Sequence, residues 1–122
     1  MRRRSFVAAL VASAAAPRIA RAHHGWRWTE GAEFTLEGVI REVRLGNPHG
    51  ILTVEAADKA MWVVELGQPW RHAEAGLPEA ELMPGVAITL EGHRSADPDE
   101  LRMKAERVIL AGVTYDLYPD RS

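Results

Sequence analysis

The segment from Phe34 to Leu45, FTLEGVIREVRL, constrains this chain most. Phe34, Leu36, Val39, Val43 and Leu45 alternate with charged and polar residues, the period of a strand with one face on a core. The run is long for a single strand. Its alternation shifts at Gly38, so a bulge or bend is expected there. Such a strand needs partners, and the sequence supplies them. Gly46-Asn47-Pro48-His49-Gly50 is a dense turn cluster, followed by a second strand over Ile51–Ala56. Ala57–Ala60 turns the chain into a third strand over Met61–Leu66. Gln68–Ala75 breaks the alternation: Pro69 suits the first turn of a short helix and Gly76 its end. Pro78–Glu81 suggests a further turn. Val86–His93 is a fourth strand, and Ser95–Glu100 a polar loop. Leu101–Leu110 fits a helix or a strand, and its β-branched residues favour the strand. Thr114–Tyr118 reads as a last short strand.

Three strands, a short helix and two or three more strands make an all-β chain. The long bent first strand and the helix between strands three and four are the layout of an OB-like barrel of five or six strands. A sandwich of the same strands is the alternative. The single β domain is expected over residues 34–118, after an N-terminal arm over 23–33.

What precedes the arm reads as an export signal. Arg2, Arg3 and Arg4 open the chain, an apolar stretch runs from Phe6 to Ala16, and Ala20-Arg21-Ala22 is a small-x-small cleavage site. The stretch falls well short of the roughly 20 residues of a membrane-spanning helix, so no stable span is expected after cleavage. A cut after Ala16 would place Pro17 at the protease site, which favours cleavage after Ala22. Residues 1–22 are therefore expected to be a helical signal peptide of a periplasmic protein. Arg3-Arg4-Ser5-Phe6 partly matches a twin-arginine signal, so that route and the general secretory route both stay open.

The formal charge of −2 conceals a split. The leader holds five arginines and no acid, which leaves 10 basic residues against 17 acids after it, a net of −7. An acidic domain lacks the electrostatic drive for nucleic acid and suits cations better. The chain has no cysteine, which excludes disulfides, thiolate ligands and thiol catalysis. No nucleophile elbow, phosphate loop or calcium loop is present.

The order of motifs resembles a family of small exported bacterial proteins of unknown function. That pattern is His23-His24 after the signal, Gly38-Val39, Asn47-Pro48-His49, Trp62, Glu65-Leu66-Gly67-Gln68-Pro69, and Leu82-Met83-Pro84-Gly85 before a strand ending at Gly92. Two positions depart from it: Gly25-Trp26 stands where Ser-Phe is usual, and Trp70 where Asn is usual. The resemblance implies a periplasmic location and one small β domain, and it supplies no activity.

The histidines carry the sharpest chemical idea. An N-terminal His23 offers an α-amine and a ring nitrogen that can chelate one metal. A second imidazole would complete three nitrogens, the arrangement of a histidine brace, which suits Cu(II). The α-amine has an unperturbed pKa near 8, so binding at neutral pH costs little. His49, in its Pro-fixed turn, is the best partner. His93 is the second choice, although a hydrogen-bonding role at a strand end fits it better, and His24 is a further donor. His72 reads as a surface or packing residue. Trp26 and Trp28 either wall the site from water or anchor the arm. Trp62 and Trp70 suit packing, Trp70 at one barrel end. Glu65 is expected to face out of the sheet.

The leading expectation is an exported protein that binds copper through His23 and His49, with His24 and His93 in reserve, for delivery, sequestration or sensing. The runner-up is an OB-type binding module without metal, holding a small ligand, peptide or glycan on Trp26, Trp28 and Trp70. An enzyme ranks last, because an open metal site is not a reaction. A periplasmic protein partner fits either of the first two.

Overall fold

The computed structural model describes residues 25–121. The signal segment, its cleavage site, His23 and His24 lie outside them. Six strands form one sheet: β1 (Phe34–Arg44), β2 (Ile51–Ala56), β3 (Met61–Glu65), β4 (Ala87–Arg94), β5 (Arg102–Leu110) and β6 (Val113–Asp116). Between β3 and β4 lie helix α1 (Pro69–Ala75) and a 3-10 turn (Glu79–Glu81). The sheet order is β3-β2-β1-β4-β5-β6, and a parallel β3–β5 pairing closes it into a mixed five-stranded barrel. The expected OB-like barrel with one short helix is therefore the fold. Among the described residues no helix is long and apolar enough to cross a membrane.

The closure depends on how β5 divides its edge. Arg102–Lys104 pair in parallel with Val63–Glu65, and Arg107–Leu110 pair with β6. Alternate residues of β1 to β5 fill the interior, with Ile40, Leu52, Val64, Leu90 and Met103 wholly buried. Helix α1 starts on Pro69, as expected, and ends at Gly76 in the left-handed conformation that suits glycine, with φ 74°.

Two glycines act differently from the expectation. Gly38 is not a bulge: it pairs regularly with Ala56 on one side and Ile88 on the other, and the irregularity lies between Ile40 and Glu42. Gly38 is needed for close approach, because a Cβ there would overlap the Glu55 carbonyl. At Gly92 a Cβ would overlap the Lys104 carbonyl. A second irregularity sits beside it: Glu91 pairs with Arg107 and Gly92 with Ala105, which leaves Glu106 as an extra residue on β5. Bulges re-aim side chains, and this one sets Glu106 and Arg107 beside each other under the arm. The last strand also sits slightly earlier than expected, because Leu117 and Tyr118 turn in and are buried.

The arm is fastened to the barrel. Residues 25–28 form a turn, Thr29 bridges to Ser95, and the Glu30 amide donates to the Arg94 carbonyl at 2.9 Å. The Ala96 amide donates back to the Trp28 carbonyl at 3.0 Å. These bonds lay Trp26 across the outer side of β4 and β5.

Candidate functional site

A row of polar side chains is sealed between the barrel and the arm. Glu65 and Lys104 are partners in the β3–β5 ladder, and Lys104 and His93 are partners in the β4–β5 ladder. The register thus brings residues from three strands onto one line. Lys104 is 2% exposed and donates from Nζ to Glu65 Oε2 at 2.9 Å. Arg102 donates to Glu65 Oε1 at 3.1 Å. Both carboxylate oxygens are therefore engaged, as a buried charge requires. Glu65, expected to face solvent, is 7% exposed instead. Its alternation does point it out of the barrel, but the arm covers that face.

His49 joins this row. The Gly50 amide donates to the Gly67 carbonyl at 3.0 Å, and the Leu66 amide donates to the Gly50 carbonyl at 2.8 Å. These bonds hold the turn after β1 against the end of β3. His49 Nδ1 consequently lies 3.6 Å from Glu65 Oε2. Burial lowers the His49 pKa below its ordinary value; Glu65 opposes that shift and Lys104 adds to it. Burial thereby favours the neutral ring, the form that ligates metals. At 3.6 Å the contact with Glu65 is an ion-pair distance rather than a hydrogen bond.

A second cluster lies at the other end of the same seam. His93 Nδ1 donates to the Ala32 carbonyl at 2.9 Å. Its Nε2 lies 2.9 Å from Glu106 Oε2 and 3.5 Å from Glu33 Oε2. Glu33, His93 and Glu106 bring three potential ligand atoms within 4.8 Å of one another. His93 therefore combines the two roles weighed for it, bonded at a strand end and placed among possible ligands. Neither Glu33 nor Glu106 was picked out from the sequence. A buried glutamate at the bulge of β5 leaves no periodic trace, and Glu33 becomes a neighbour only through the arm.

Trp26 lies over the seam between the two clusters. Its ring meets His93 and Tyr118 edge-on, with centroids 5.7 and 5.0 Å apart. The Lys104 ammonium sits 4.9 Å and the Arg121 guanidinium 3.9 Å from its centroid. Burial raises the Tyr118 pKa, with the Arg71 charge opposing it. Trp28 stacks on Arg102 at 4.0 Å. Both tryptophans therefore anchor the arm and cover polar groups at once. Trp62 is core, as expected. Trp70 corrects its expectation: it is 55% exposed, beside a cavity of about 270 Å³ between α1 and the segment after β6. His72 is buried; its Nε2 accepts the Gly67 amide and its Nδ1 donates to Glu79, so it pins α1 rather than binding anything.

The fold and these clusters define a small OB-like β barrel with a cluster of His93, Glu33 and Glu106 beside its N-terminal arm. The chain belongs to a family of unknown function, DUF6152, whose model matches residues 9–102. No curated protein matches the sequence. Among solved structures, the ZRD-deleted mutant of TiaS in complex with agmatine is similar, with a TM-score of 0.52 and 12% identity. That likeness covers 70% of this chain and 26% of the other, so the chain spans about a quarter of that protein. At this identity the likeness concerns the fold alone.

Proposed function

We infer that the protein is an exported, periplasmic metal-binding protein that takes Cu(II) on His49 and the mature N-terminal His23. The observation that carries this reading is the meeting of separate sequence motifs at one place. Asn47-Pro48-His49 supplies the imidazole, and Glu65-Leu66-Gly67-Gln68-Pro69 supplies the carboxylate 3.6 Å from its Nδ1. The start of the arm ends at the same row, with Lys104 Nζ 3.5 Å from the Gly25 carbonyl.

The charges fit a ligand role for the nitrogens rather than for Glu65. Lys104 and Arg102 already neutralise that carboxylate, so it orients His49 and leaves ligation to imidazole and amine. An all-nitrogen set favours Cu(II) among the divalent ions. Delivery, sequestration and sensing all suit such a site.

The test is Cu(II) titration of the chain cleaved after Ala22 against the full 122-residue chain. The cleaved form binds one Cu(II) tightly, and the uncleaved form binds it at least tenfold more weakly. Equal affinity in the two forms, or His23→Ala without effect, would sink the reading.

A further inference from the structure

We propose that Glu33, His93 and Glu106 form a second divalent-cation site, of the zinc class, that clamps the arm to the barrel. It is independent of His23 and His49 and does not rest on the copper reading.

The first argument concerns the two nitrogens of His93. Nδ1 faces the Ala32 carbonyl at 2.9 Å, and a carbonyl can only accept, so Nδ1 holds a ring proton. Nε2 faces carboxylates, which also only accept, so in the metal-free chain it donates to Glu106. It points at two carboxylate oxygens, Glu106 Oε2 at 2.9 Å and Glu33 Oε2 at 3.5 Å. Nε2 and the two carboxylate oxygens lie within 4.8 Å of one another, two of them on residues at least nine-tenths buried, so an ion that displaces the shared proton finds three ligand atoms already gathered.

The second argument is the spacing. A tetrahedral ion with bonds of about 2.0–2.1 Å sets its ligand atoms roughly 3.3 Å apart. The two measured nitrogen–oxygen edges, 2.9 and 3.5 Å, bracket that length. Small side-chain shifts suffice, since Glu33 is exposed and able to adjust.

The third argument is how Arg107 holds the carboxylates. It donates from Nη2 to Glu33 Oε1 and from Nη1 to Glu106 Oε1, each at 3.2 Å. One guanidinium thus grips the far oxygen of both acids and turns both near oxygens toward His93. Glu91 in turn accepts from Arg107 Nε at 2.8 Å and fixes the guanidinium. The ligands therefore have an outer layer of partners already in place: a carbonyl behind the imidazole and an arginine behind the carboxylates. Arg121 also donates to Glu106 Oε2, at 3.2 Å, and is the group that gives way. It is exposed, at the end of the described residues.

One imidazole and two carboxylates leave the fourth position for water. Two carboxylates and a single nitrogen suit zinc better than copper, which prefers more nitrogen. The ligands come from the arm, β4 and β5, so the ion would fasten the arm where Ala32 already touches His93.

The experiment is Zn(II) titration of the full 122-residue chain, whose leader blocks the α-amine and so silences any brace. One equivalent binds, with a dissociation constant in the micromolar range or below. His93→Gln abolishes binding. Glu33→Gln lowers affinity at least tenfold without changing the melting temperature of the metal-free chain, which separates ligation from folding. His49→Ala leaves Zn(II) affinity unchanged. Co(II) in place of Zn(II) gives visible absorption of a nitrogen–oxygen tetrahedral site, which disappears in His93→Gln. If no Zn(II) binds, the inference falls. It falls equally if Glu33→Gln binds as tightly as the parent, or if His49→Ala removes the ion.

Discussion

Strand β5 turns Met103, Val108 and Leu110 into the barrel and sets Lys104 and Glu106 beneath the arm, and all five are buried. The interior is apolar and held by non-directional burial, to which each large side chain contributes about 1.5–3 kcal/mol. The seam is polar, and its charges pair one by one at hydrogen-bond distance. Burying those charges costs several kcal/mol each before pairing, and an apolar layer would have closed the arm with less difficulty. A chain that lays Trp26 over His93 and Lys104 keeps polar groups out of water at some cost to stability. The barrel holds the fold, and the seam gathers the buried charges.

That contrast can be broken by substitution. The largest effect on stability is expected inside. Leu90→Ala, at a wholly buried position, should cost about 2–5 kcal/mol in denaturant unfolding and leave Zn(II) and Cu(II) stoichiometry unchanged wherever the protein stays folded. In the seam, Lys104→Ala removes one partner of a buried pair and should cost about 3 kcal/mol. The double change Lys104→Met with Glu65→Leu should recover most of that loss, because apolar replacement of a whole pair is near neutral. A double variant as unstable as Lys104→Ala would show that the seam holds the fold together as much as the interior does.

The remaining effects concern ions and protons. His49→Ala should weaken Cu(II) binding by the cleaved chain at least tenfold, about 1.4 kcal/mol, with less change in unfolding than Leu90→Ala; isothermal titration reads the first and urea melts the second. The smallest effect is a pH slope. The His49 pKa is lowered in the fold, so the metal-free unfolded chain binds a proton that the folded chain resists. Its contribution is full above about 6.5, the unfolded value, and is lost as pH falls through the lower folded value. Melting temperature measured from pH 7.5 to 5 should therefore fall less steeply in His49→Gln than in the parent.

The barrel was legible because its signals are local. Alternation in β1 to β4, Pro69 and Gly76 around α1, and the turn at residues 46–50 each report on neighbours in sequence. Leu101–Leu110 was the ambiguous run, and its β-branched end decided it correctly. The seam was mostly hidden because it is made of register. Glu65 reads as an outward charge, and it is one; only the arm, whose cover no periodicity encodes, makes it buried. Glu106 was overlooked because its position depends on a bulge opposite Gly92, where the Lys104 carbonyl leaves no room for a Cβ. Trp70 misled for the opposite reason. An aromatic beside Arg71 suggests packing, and it does stack on that arginine at 4.5 Å while staying open to solvent. His49 was selected from its turn alone, and the structure sets it beside Glu65, a contact between residues 16 positions apart that composition does not announce.

The ring of Trp26 rests on Tyr118 and Arg121, and this has a consequence in time. Synthesis delivers Trp26 early and those two partners almost a full chain later. Until the segment after β6 arrives, the arm has no floor on that side, and Lys104 and His93 stay open to water. The cover over the seam is complete only when the final residues fold back over the first.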